Sequence, residues 1–146
     1  MNFPLPNPIN EKKDRITLTL LKNLIQLSLL NDDNIIEKGK YIQWVVDTKG
    51  IDKATLETIR TNPDSLTSSY PEEEDERDIF VNEVAILLLC KSLCKKEEVD
   101  YLKALCKDLS INFADFCEDL PCYAAAVNKT PEEFQIWLDS FHNMAK

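Results

Sequence analysis

Ile51-Asp52-Lys53-Ala54-Thr55-Leu56 recurs in residue type 60 positions later as Ile111-Asn112-Phe113-Ala114-Asp115-Phe116. A chain that repeats at such a spacing builds one supersecondary unit twice and buries one copy against the other. Each copy follows an apolar stretch of helical periodicity, a short polar break and a second amphipathic stretch. The pattern predicts two related helical hairpins sharing a core. With 146 residues the chain has the length of one domain, and a domain of that size buries roughly 68–70% of its unfolded surface without external staples. The expected architecture is all-α: a single-domain helical bundle of two hairpin repeats plus a C-terminal helix. Over residues 1–146, repeat one is placed at about 14–62, a bridge at 63–71, repeat two at about 72–121 and the last helix at about 130–145.

Only two glycines occur, Gly39 and Gly50. Phosphate-cradling loops of the GxGxxG or GxxxxGK[ST] type are therefore impossible, and the nucleotide-binding folds built on them are excluded. Strands find little support, because no long run alternates β-branched with polar residues and hairpin dipeptides such as Asn-Gly are missing.

The net charge of −9 opposes the phosphate backbone that a nucleic-acid binder must neutralise. It disfavours DNA and RNA as partners and suits cations or basic protein surfaces. Five cysteines and the absence of a secretory leader pattern after Met1 lead us to expect a reducing, cytoplasmic setting. The apolar run Leu24–Leu30, interrupted by Gln26 and Ser28, falls short of the roughly 20 apolar residues of a membrane span.

Along the chain, Asn10 is a candidate cap for a first helix with Ile16, Leu20, Leu24 and Leu27 on one face. Asn31-Asp32-Asp33-Asn34 breaks the pattern, since short polar side chains compete for backbone hydrogen bonds. A second helix carries Tyr41, Ile42, Val45 and Val46 on one side and ends at Gly50, whose left-handed tolerance suits a helix terminus. A short third helix starts at Asp52 or Lys53 and stops at Asn62-Pro63. Pro71 and the acids Glu72 to Glu76 are expected in the first turn of a central helix, where the dipole favours negative charge. That helix is apolar on every side from Val84 to Cys90 and must be buried. Leu102, Leu105 and Leu109, then Phe113, Phe116 and Leu120, repeat the first half. Thr130-Pro131-Glu132-Glu133 forms a capping box ahead of Phe134, Trp137, Leu138 and Phe141, a helix expected to lie as a lid over both hairpins.

These features resemble the TerB-like (tellurite resistance) family of helical proteins, built from two repeats that each centre on an acidic loop of the form Asp-Gly-x-Ile-x-x-x-Glu. Asp32 stands for the leading acid and Ile35 for the Ile; Asp33 replaces the Gly, Gly39 falls where the closing Glu would be, and Glu37 lies two residues earlier. In the second copy Leu93 and Glu97 match the Ile and Glu while Cys90 takes the acidic place. In this alignment Ile35 and Leu93 are 58 apart, so copy two would have a shorter break and a longer following helix. Leu109-Ser110-Ile111 resembles the family's Leu-Gly-Ile, and Asn62-Pro63, Pro71 and Glu76-Arg77 add to the likeness. The resemblance implies a non-catalytic, stress-linked module with metal-binding acidic loops and protein partners, some near membranes.

Asp32, Asp33, Asn34 and Glu37 offer oxygens to a hard divalent cation such as Ca²⁺ or Mg²⁺. The candidate metal ligands are accordingly Asp32, Asp33 and Glu37, although the loop is not an EF-hand because Glu37 sits where its glycine belongs. Cys90 and Cys94, four apart on what reads as one helical face, together with Cys106, Cys117 and Cys122, make a thiolate zinc site conceivable. Against it, no Cys-x-x-Cys pair occurs and buried cysteine behaves as a small hydrophobe. Catalysis by Cys106 with His142, or by Asp32 with Asp33, has no motif behind it. The expected function is recognition of a partner protein, with Trp44 and Tyr123 as candidate contacts, although Trp44 is expected in the first place to pack against the C-terminal lid.

Overall fold

The computed structural model describes residues 8–31, 33–90, 92–127 and 129–146, the side chains of residues 8–12, 124 and 126 excepted. Seven α-helices follow in order: α1 (Pro8–Ser28), α2 (Ile35–Lys49), α3 (Lys53–Thr61), α4 (Glu74–Leu89), α5 (Lys96–Asp108), α6 (Phe113–Asp119) and α7 (Pro131–Ala145). Short 3-10 segments lie at Pro63–Ser65 and Leu120–Ala126. No strand occurs among the described residues. The all-α, single-domain expectation holds, with one continuous apolar core.

The order long helix, helix, short helix appears twice, and the packing follows it. α1 rests on α2 and α3, α4 and α6 on α5, and the two leading helices meet at the centre. Leu20, Leu21, Leu24 and Leu27 of α1 are buried there with Val84, Leu87 and Leu88 of α4. The sequence expectation that α4 is core is met over most of its circumference, since Phe80, Val81, Ala85 and Leu89 are buried as well, while Ile79 is exposed and Ile86 and Cys90 are half-buried on the remaining side.

The repeat is sharpest where the second helix of each hairpin gives way to the third. Gly50 has φ 68° and Ser110 has φ 58°. The N–H of Ile51 donates to Val46 (3.0 Å) and that of Ile111 to Cys106 (2.8 Å), the long bond of a Schellman terminus. Asp52 Oδ1 then accepts the N–H of Thr55 (2.7 Å), as Asn112 Oδ1 accepts that of Asp115 (3.0 Å). These bonds recur 60 residues on, so the sequence echo is a backbone geometry.

Four expectations are corrected. The chain is already helical at Pro8, because proline is at ease in a first turn that needs no N–H; Asn10 is inside α1 and does not cap it. Pro71 precedes α4, which starts at Glu74 with Glu73 as its cap. Pro71 is buried and Tyr70 meets Phe80 edge-on (5.7 Å), which keeps this segment outside the helix, and only Glu74, Asp75 and Glu76 occupy the first turn. The hairpin breaks both span six residues, 29–34 and 90–95, so the helices after them start 61 apart and α5 is shorter than α2. The 58-residue register thus fails, and Leu93 lies in a loop where Ile35 begins a helix. Finally, α7 is anchored on the second hairpin: it packs on α5, its Trp137 indole donates to the Leu88 carbonyl of α4 (3.0 Å), and Phe141 lies against Phe113 of α6.

Two caps are carboxylates held below their ordinary range. Asp52 is lowered by the Thr55 backbone N–H and then by its hydroxyl, and Glu133 by the same two groups of Thr130. A carboxyl depressed by folding stabilises the native state above its unfolded pKa, and that contribution disappears as pH falls through the folded value. We therefore expect the N-termini of α3 and α7 to loosen below about pH 4. Amide resonances of Thr55 and Thr130 followed by NMR should titrate with midpoints below those of ordinary Asp and Glu. Midpoints at or above the ordinary values would contradict the capping roles.

Candidate functional site: the joined elbows

The six-residue breaks sit side by side and are pinned together. α1 ends in tight turns, Leu29 N–H to Gln26 and Leu30 N–H to Leu27, before Asn31 folds the chain over. Asn31 Oδ1 accepts the N–H of Asp33 (2.9 Å) and Asn34 takes the left-handed conformation at φ 52°, a conformation that asparagine tolerates. From this turn two bonds cross to the other break: Asn34 Nδ2 donates to the Cys90 carbonyl (2.7 Å), and Asp33 Oδ2 accepts the N–H of Ser92 (2.8 Å).

Beneath the surface the lock deepens. Asn31 Nδ2 donates to Glu98 Oε1 (2.9 Å), and the same carboxylate accepts the Lys95 N–H at the start of α5 (2.9 Å). Lys38 Nζ donates to the carbonyls of Ser28 (3.0 Å) and Asn31, placing a cation at the negative end of α1. Asn31, Lys38 and Glu98 are all buried, so their polar atoms depend on these partners. Our sequence reading placed Asn31 in a polar turn and passed over the other two. A signal existed: Lys38 shares a stripe with Ile42 and Val45, as Glu98 does with Leu102, Leu105 and Leu109, and a charge on an apolar stripe marks a buried polar contact.

Large apolar side chains stand exposed at the elbows and at the start of α2. Leu29 is 75% exposed, Ile36 73%, Ile35 64% and Leu93 53%. These side chains sit on a frame fixed from below and stay largely exposed among the described residues.

Of the predicted metal ligands, Asp32 lies outside the described residues. Asp33 is half-buried and occupied by the Ser92 N–H, while Glu37 is exposed on the first turn of α2 and pairs with Lys40 at 3.5 Å. Among the described residues no group of three or more His, Cys, Asp or Glu is arranged to hold a metal ion.

The cysteines disperse. Cys90 terminates α4 and Cys94 lies in the following loop, so the expected shared helical face does not exist; the helix stops once Cys90 N–H bonds back to Leu87. Cys94 is buried with its N–H on Ser140 Oγ (3.0 Å). Burial, with neighbouring Cys117 adding to it, pushes the Cys106 thiol up to about 12. A thiol so protonated is no nucleophile at neutral pH, and His142 is exposed on the last turn of α7, edge-on to Phe141.

Trp44 is 58% exposed and stacks on Tyr41 (6.1 Å between ring centres, 19° between planes). The expected contact with the C-terminal helix is not made, because α7 covers the other hairpin. Tyr41 is fixed by donating to the Glu83 carbonyl (2.6 Å), and burial raises its phenol well above the usual range. Tyr123 is half-buried and bonded to Asn82, with burial pushing its hydroxyl up to about 12. Of the two candidate contact aromatics, Trp44 alone is open to a partner. Among the described residues no helix is long and apolar enough to cross a membrane. No family model matches the chain, and no curated protein or solved structure matches it either.

Proposed function

We propose that the protein is a non-catalytic helical interaction module of the TerB-like kind, working in the cytoplasm in a stress-linked setting and docking a partner protein on its joined elbows. One observation carries the reading: Leu29, Ile35, Ile36 and Leu93 stand exposed on a frame locked by buried hydrogen bonds. Apolar side chains gathered on a rigid support and rimmed by polar groups are the usual anatomy of a contact site. Because Asp33 is already engaged in joining the elbows, the acidic turn serves the scaffold in this reading in preference to sensing an ion.

The test is a pair of tagged proteins recovered from the native host, wild type and Leu29→Lys/Ile36→Lys. Both residues are mostly exposed, so the variant is expected to melt within about 0.5 kcal/mol of the parent. A partner retained by the parent and lost by the variant is the expected result. Identical recoveries from both would remove the elbows from the binding surface.

A further inference from the structure

Well away from the elbows, α1, residues 71–73 and the first half of α4 enclose a trough of about 520 Å³. Ile16 of α1, which points into it, is 13 residues before Leu29, or about 20 Å along a helix at 1.5 Å per residue. Leu20, Pro71 and Phe80 form its buried floor together with half-buried Ile16. Ile79 stands on its wall with 55% of its surface exposed. The trough is thus a slot with an apolar floor whose most prominent side chain, among the described residues, is more than half exposed.

Its rim is acidic. Glu72, Glu73, Glu76 and Glu83 line it against Lys13 and Lys49, and Lys49 is already paired with Glu83 at 3.3 Å. Asp75 and Asp78 continue the acidic run along α4. An occupant must bring apolar side chains for the slot and positive charge for its edges. Anionic occupants, whether nucleic acid or an acidic membrane, meet repulsion there. The neighbouring trough across α4, lined by Asp78, Asp115 and Asp119, has no strongly exposed apolar side chain and offers charge alone.

We propose that this slot docks an amphipathic helical segment of a basic partner protein, its apolar stripe seated on Ile79 and Phe80 and its lysines or arginines facing Glu73 and Glu76. A volume of about 520 Å³ takes two or three apolar side chains, which matches the one-face anchoring of a helix in a groove. This surface is distinct from the elbows, so the protein has two faces for two contacts.

The probe is a dye-labelled synthetic peptide of two Leu-Lys-Lys-Leu-Leu-Lys-Leu repeats, titrated at physiological salt with fluorescence anisotropy as readout. The wild type is expected to bind it at least about tenfold more tightly than oligolysine of equal charge, which has no apolar stripe. Ile79→Ser and Glu73→Gln/Glu76→Gln are each expected to weaken binding by about five- to tenfold, with melting unchanged for Ile79→Ser and slightly lowered for the double variant, whose charges favour the start of α4. Leu29→Lys/Ile36→Lys should bind like the parent, which separates this proposal from the elbow reading. No binding at about 0.1 mM, equal affinity for oligolysine, or an unaltered affinity in Ile79→Ser would each overturn it.

Discussion

Replacing Trp137 by alanine is expected to destabilise the protein by about 3–5 kcal/mol, the range for truncating a buried large aromatic. Trp137 is completely buried, stacks on Phe141 at 5.5 Å and 26°, and lies 6.2 Å from Phe134. Its indole N–H donates to the Leu88 carbonyl near the end of α4, where helix carbonyls lack partners of their own. Two contributions are therefore lost together: the ring's burial, and the bond that ties α7 to the central helix. Trp137→Phe separates them, since it keeps most of the ring and removes the donor; it is expected to cost about 1–3 kcal/mol. Urea unfolding at constant slope measures both. A loss below about 1 kcal/mol for the alanine variant would mean that α7 is peripheral to the fold.

Leu87→Ala is expected to cost about 2–5 kcal/mol through lost burial and the cavity left behind. Leu87 is fully enclosed, as are Val84 and Leu88, on a helix that meets α1, α2 and α5 on different sides. With neighbours on every side the site collapses poorly, which favours the upper part of that range. Denaturant melts that move by less than about half a kilocalorie per mole would displace α4 from the centre of the bundle.

Elements determined by neighbours along the chain were legible in the sequence. The Thr130 and Glu133 box forms, with Thr130 N–H to Glu133 Oε1 at 2.9 Å and Glu133 N–H to Thr130 Oγ1 at 3.2 Å. Gly50 and Asp52 act at the junction where their chemistry placed them, and the apolar stripe of α7 is buried. What escaped depends on distant partners. Asn31 meets Glu98 across 67 residues and Asn34 meets Cys90 across 56, and no local pattern encodes such a meeting. The first elbow reads as polar because Asn and Asp dominate it; folding ties Asn31, Asp33 and Asn34 to the second elbow and α5 and leaves Leu29, Ile35 and Ile36 outside. Trp44 was misassigned for a related reason. Its exposure follows from which hairpin α7 selects, a choice made by Trp137, Phe141 and Ser140 and not by anything in α2.

Gly50 and Ser110 make the same left-handed turn with the same hydrogen bonds, although only one of them is glycine. Serine bears a modest conformational penalty there that glycine avoids, so the bend is enforced by the bonds around it and tolerates either letter. Divergence can then rewrite such a joint residue by residue while the bend persists. Kinship among modules of this plan is better sought in the cadence of donors and acceptors than in shared spelling.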